Sequence, residues 1–132
     1  MKTIEIKASN TEVLFNSLQK EIGGELKVIL KEYVLLFNNE LGIGTVRGMG
    51  LPNGIAFIQF DAEFKENIKI SINSPKNSII NFMYCNQGEL AHSFGLNEKN
   101  VGLETYQNGI SANIRTYENI LYFQKAIRVD AV

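Results

Sequence analysis

The sequence predicts a mainly β fold, a sandwich or closed barrel with one N-terminal α-helix. Three observations lead there. Apolar and polar residues alternate strictly at residues 58–64 and again at 68–73, short apolar runs recur at even spacing through the rest of the chain, and Asn, Gly and Pro mark the corners between them. Hydrophobic residues make up 45% of the 132, enough for one compact domain to bury a core without disulfide or metal.

The helix comes first. Ser9-Asn-Thr-Glu12 has the form of a capping box, with Ser9 as N-cap and Glu12 reaching back to it. Leu14, Leu18 and Ile22 recur along one face, and Gly23-Gly24 ends the run. From Glu25 the period becomes two: Leu26, Val28 and Leu30 alternate with Lys27, Ile29 and Lys31, and Tyr33 to Phe37 reads as an apolar strand. In the clearest pair, Ile58, Phe60, Ala62 and Phe64 share one face, a Lys65-Glu66-Asn67 turn follows, and Ile68, Ile70 and Ile72 repeat the pattern. Further strands are expected at about 79–85, 89–94, 101–107, 110–117 and 120–129. The turns expected between them are Ser74-Pro75-Lys76-Asn77, Asn86-Gln87-Gly88, Asn97-Glu-Lys-Asn100 and Asn108-Gly109. No repeat or linker divides the chain, so residues 1–132 read as one domain, with 1–24 an N-terminal strand and helix and 25–132 the β body.

Residues 79–94 read as a hairpin. A three-residue turn at Asn86-Gln87-Gly88 sets Cys85 opposite Glu89, Tyr84 opposite Leu90, Phe82 opposite His92 and Ile80 opposite Phe94. Six side chains then share one aromatic face, with His92 and Tyr84 as its polar handles. Asn81, Met83 and Cys85 fall on the other face, expected nearer solvent.

Charge and cysteine content exclude several functions. Lys and Arg number 13 against 14 Asp and Glu, a formal net charge of −1, without the basic footprint that neutralises phosphates. The start, Met1 to Lys7, lacks the apolar stretch of a signal peptide, and no segment has the apolar length to cross a bilayer. One cysteine, Cys85, precludes an intrachain disulfide and fits a reducing compartment, so a cytoplasmic location is expected.

The chemical motifs are sparse. His92 is the sole histidine, so the usual multi-histidine metal set cannot form. Cys85 and His92 form the one Cys–His pair, and the hairpin register places them on opposite faces. Asp61 and Glu63 share a strand face that reads as solvated. Gly42-Ile-Gly44-Thr-Val-Arg-Gly48-Met-Gly50 has Arg47 where a dinucleotide fingerprint needs glycine, and no helical pattern follows it. It reads as a barrel corner or bulge. His92 has two readings, a core histidine bonded to a backbone carbonyl or tyrosine, or a polar handle in an apolar cavity. Phe60, Phe82, Tyr84 and Phe94 are correspondingly core or pocket lining.

Tyr84-Cys-Asn-Gln-Gly88-Glu-Leu-Ala-His92-Ser-Phe94 resembles a segment of the N-terminal sensor domains of AraC/XylS-family transcription regulators, in the subgroup similar to pyochelin-receptor regulators of Bacteroidetes type. Leu41-Gly-Ile-Gly44 with Met49-Gly-Leu-Pro-Asn-Gly54-Ile, and Gln59-Phe-Asp61 through Ile68, match in order, so the resemblance runs from about Glu32 to Val129. It implies a cupin-like β-barrel that binds a small effector, with DNA bound by a C-terminal pair of helix-turn-helix motifs lying outside these residues. It brings no catalytic residue, cofactor or named ligand.

The expectation is therefore a ligand-sensing, non-enzymatic regulatory domain. His92, Tyr84, Phe82, Phe60 and Phe94 would line the effector pocket. No metal or cofactor, no membrane and no direct DNA contact are expected, and a homodimer is compatible. The alternatives are a metal-independent cupin-like isomerase or epimerase, with His92 as base and a tyrosine as acid, and a filled dimerisation or interaction module.

Overall fold

The computed structural model describes residues 1–74, 79–94, 100–113 and 118–132. It is mainly β, with 63% of residues in strands against 12% helical. The chain opens with β1 (Lys2–Lys7) and α1 (Thr11–Ile22), then β2 (Glu25–Ile29), β3 (Glu32–Asn38), β4 (Gly42–Gly50), a short 3-10 turn at Pro52–Gly54, β5 (Ala56–Phe64) and β6 (Ile68–Asn73). Next come β7 (Ile79–Gln87), β8 (Glu89–Phe94), β9 (Val101–Glu104), β10 (Asn108–Asn113), β11 (Glu118–Phe123) and β12 (Val129–Ala131).

The strands form two open sheets, β1-β6-β11-β8-β9 and β10-β7-β12-β5-β4-β3-β2. Each sheet ends in two edge strands, so no barrel closes. One core fills the space between them. Phe123 of the five-stranded sheet meets Phe60 and Phe64 of the seven-stranded sheet, with ring centroids 5.1 and 5.3 Å apart. Ile4, Ile6, Ile68 and Ile70 face Leu35, Val46, Ala62 and Val129 in the same cluster, all within 1% of full burial.

The helix starts one residue later than the capping box predicts. Asn10 is the N-cap, its Oδ1 accepting from the Val13 N–H at 2.9 Å. Gly23 ends the helix as expected, with its N–H donating to Gln19 O at 2.8 Å. The apolar face, Leu14, Phe15, Leu18 and Ile22, packs into the core. Phe15 lies over Gly48, where a β-carbon would stand 2.6 Å from the ring, and stacks on Tyr33 at 5.4 Å. β1 is not a separate N-terminal piece, because it pairs in parallel with β6, Lys2 opposite Ile68.

Two parts of the glycine-rich and early strands differ from expectation. Gly42–Gly50 is neither corner nor bulge. It is an unbroken strand paired on both sides without a register shift. Leu30 and Lys31 join β2 to β3 as a two-residue hairpin turn with φ of 49° and 69°, a left-handed pair filled without glycine. The Lys65-Glu66-Asn67 turn is present, but it carries the chain from one sheet to the other.

Asn108-Gly109 lies within β10 and is not a turn. The expected strand at 120–129 is two strands, β11 and β12, which belong to different sheets. The 75–77 part of the Ser74 turn, Asn97 to Lys99 of the Asn97–Asn100 turn and the 114–117 end of the expected 110–117 strand lie outside the described residues.

Candidate functional site

β7 and β8 do not form a hairpin. β7 pairs with β10 and β12 in one sheet, and β8 with β11 and β9 in the other. The chain crosses between layers at Gly88, whose φ is 81°. A left-handed glycine suits a hairpin bulge and a sheet-to-sheet corner equally, which is why the turn residues alone misassign the pairing. The corner is held by neighbours: Cys85 N–H donates to Gln107 O at 2.9 Å, Tyr106 N–H to Cys85 O at 2.7 Å, and Thr105 Oγ1 to Gly88 O at 3.1 Å.

Because each strand takes its faces from its own sheet, the five candidate residues separate. On β7 the outward set is Ile80, Phe82 and Tyr84, which are 64%, 72% and 42% exposed. The inward set is Asn81, Met83 and Cys85, the reverse of the expected assignment, with Cys85 fully buried. Phe60 is buried in β5 against Phe123. His92 is 1% exposed on the inner face of β8, and Phe94 packs edge-on against its imidazole with centroids 4.6 Å apart. Thus Phe82 and Tyr84 lie on the outer face, apart from the half-buried Phe94 beside His92 and from Phe60 in the core.

Two asparagines missed by the sequence reading complete the surroundings of His92. Asn119 of β11 lies opposite Phe94, two pairs along from the Leu121–His92 pair and so on the same face, and its Oδ1 hydrogen-bonds His92 Nε2. Since an amide oxygen only accepts, Nε2 carries the ring proton in this arrangement. Asn81 Nδ2, from the other sheet, approaches the same nitrogen at 3.4 Å, too long to contribute much as a hydrogen bond. Nδ1 of His92 is then a buried acceptor with no protein partner among the described residues. Asn119 was legible in principle: it is in phase with Leu121 and Phe123 at a period of two. Asparagine's preference for turns hid it. Burial holds the imidazole below the usual histidine range, and the Asn119 hydrogen bond acts in the opposite direction.

Cys85 takes no part in this cluster. Its Sγ donates to the Gln87 and Gly88 carbonyls, at 3.4 Å each, and burial raises the thiol's pKa above the usual range. Among the described residues no group of three or more His, Cys, Asp or Glu is placed to hold a metal ion. Asp61 pairs with Arg128 at 2.6 Å on the outer face.

Two concavities lie away from His92. A groove of about 270 Å³ runs along β8, β9 and β11, with Ala91, Gly102 and Tyr122 among its lining and Glu89 and Glu104 at one end. A second, of about 360 Å³, adjoins it at Gly88, Thr105 and Ile127. Glu89 and Glu104 face each other in register, a like-charge pair on neighbouring strands.

Among the described residues no helix is long and apolar enough to cross a membrane. Comparison with protein-family models, with curated proteins and with solved structures finds no match.

Proposed function

We propose that this chain is a non-catalytic, effector-binding regulatory domain of the class that the AraC/XylS sensor domains represent. The observation that carries the reading is Nδ1 of His92, an acceptor on a residue that is 1% exposed, without a protein donor among the described residues. Leaving a buried acceptor unmet costs about 1–3 kcal/mol, which a ligand O–H or N–H would recover. Phe94 beside the ring supplies an apolar contact. An effector that met this acceptor would be small and partly apolar, with one hydrogen-bond donor, and would open its own space between the sheets, since both concavities lie elsewhere.

Placement between the sheets gives such binding a route to regulation. His92 and Asn119 belong to one sheet and Asn81 to the other, and the contact joining the layers is the long one. A ligand that prefers one spacing of the sheets would shift the population toward it. The transcriptional role, with DNA bound by a separate C-terminal domain, is inferred from the resemblance that runs from about Glu32 to Val129. The net charge of −1 agrees with DNA contact being made elsewhere. The isomerase alternative is less well supported, because among the described residues two amides and no carboxylate adjoin His92.

The test uses phenol and indole as probes, each an apolar body with one donor. Isothermal titration should give saturable binding to the wild-type protein and roughly tenfold weaker binding to His92→Phe, which keeps ring volume but removes the acceptor. Circular dichroism checks that the variant is folded. Equal affinity for both proteins would remove His92 from the site.

A further inference from the structure

Among the described residues, the outer face of the seven-stranded sheet is uncovered at one end. Ile110 of β10 lies opposite Phe82 of β7, and the two are 71% and 72% exposed. Ile80 and Tyr84 flank Phe82 on the same face, and Val132 joins them through reciprocal backbone hydrogen bonds with Tyr84 at 2.8 and 2.9 Å. β7 reads Ile79-Ile-Asn-Phe-Met-Tyr-Cys85, a nearly unbroken apolar run of the kind sheets bury on both faces. Within one chain only one of those faces is buried.

None of the five exposed side chains bears a charge. The adjoining surface is polar and internally satisfied: Asp130 accepts from Gln59 at 2.9 Å and from Asn86 at 3.2 Å. An apolar centre with a polar margin is the anatomy of a protein interface.

From this face we propose that the protein forms a two-fold dimer by stacking the outer surfaces of β10, β7 and β12 from two copies. The area is sufficient. A fully buried aromatic side chain contributes roughly 150–250 Å², so five apolar side chains at these exposures offer on the order of 500 Å² per copy. Two copies bury about 1,000 Å², the lower bound for a specific interface. The chemistry is self-complementary as well. The five central side chains carry no charge and meet their own copies without like-charge repulsion, with the Asp130 carboxylate held at the margin by the Gln59 and Asn86 amides, whereas a strongly charged partner would find no counter-charge at the centre. Stacked sheets lie about 10 Å apart, which leaves room for Phe82 and Ile110 of each copy to interleave. This association does not depend on effector binding.

Sedimentation velocity on the full chain, from low micromolar to several hundred micromolar, tests it. The wild type should show a concentration-dependent dimer. Phe82→Asp and, independently, Ile110→Asp should weaken it by roughly tenfold or more. The far-UV spectrum of each variant should stay unchanged, because both side chains are exposed in the single chain. A wild type that stays monomeric throughout, or a dimer that both substitutions leave intact, overturns the proposal. Either outcome leaves the His92 titration unaffected.

Discussion

A β-carbon on Gly88 would stand 2.1 Å from the carbonyl oxygen of Arg128. At that point the chain passes between sheets with φ at 81°, so space and backbone conformation both demand glycine. Gly88→Ala is expected to destabilise the protein by about 2–4 kcal/mol, combining left-handed strain with displacement of a packed backbone. Urea unfolding followed by circular dichroism measures it. A change under about 0.5 kcal/mol would show that the corner accommodates a side chain.

Phe60 and Phe82 look alike in the sequence and should respond oppositely to substitution. Phe60 is 4% exposed with its ring on Phe123, and Phe82 is 72% exposed. Phe60→Ala should cost about 3–5 kcal/mol. At low protein concentration Phe82→Ser should stay within about 0.5 kcal/mol of wild type. Thermal melts of the two variants side by side check the face assignment of β5 and β7 together.

Acidification should expose His92. Burial holds its folded-state pKa below the unfolded value, so above about pH 6.5 both states are neutral and the group contributes nothing to the pH dependence. As pH falls below that point, the unfolded chain takes up a proton that the folded one refuses. Stability then declines by up to about 1.4 kcal/mol per pH unit until the folded-state pKa is reached. The difference in unfolding free energy between wild type and His92→Gln, measured from pH 7.5 to 5, isolates this effect from the carboxylates. A pH-independent difference would show that the imidazole titrates normally.

Cys85 should be inert in the folded protein. It is fully buried, and its raised thiol pKa depletes the reactive thiolate. Ellman's reagent should label one thiol in denaturant and do so at least a hundredfold more slowly without it, the native rate following opening of the structure. Prompt labelling of native protein would mean that the Gly88 corner opens readily.

Much of the fold was legible because alternation is a local property. Phe60, Ala62 and Phe64 bury together as their spacing requires, and Ile68 and Ile70 do likewise. The helix was legible from its apolar face and terminal glycine, while Asn10 displaced Ser9 as cap. Pairing was not legible. Period two states which residues of β7 share a face and leaves open which face looks inward. That depends on β10 and β12, which are remote in sequence. The site suffered from the same gap. His92 was visible as the sole histidine, but its partners, Asn119 at 27 residues' distance and Asn81 in the opposite sheet, follow only from strand order.

The parallel pairing of Lys2–Lys7 with Ile68–Asn73 has a consequence for how the chain is made. A ribosome delivers β1 long before β6, so β1 leaves the exit tunnel before its partner strand has been made. Its two buried residues, Ile4 and Ile6, are exposed to other nascent chains during that interval. Closure of the five-stranded sheet is a late event that waits on distant segments, and the contact order of this step favours slow folding. Fusing a bulky partner directly before Lys2 would burden this same step, and a flexible spacer should relieve it.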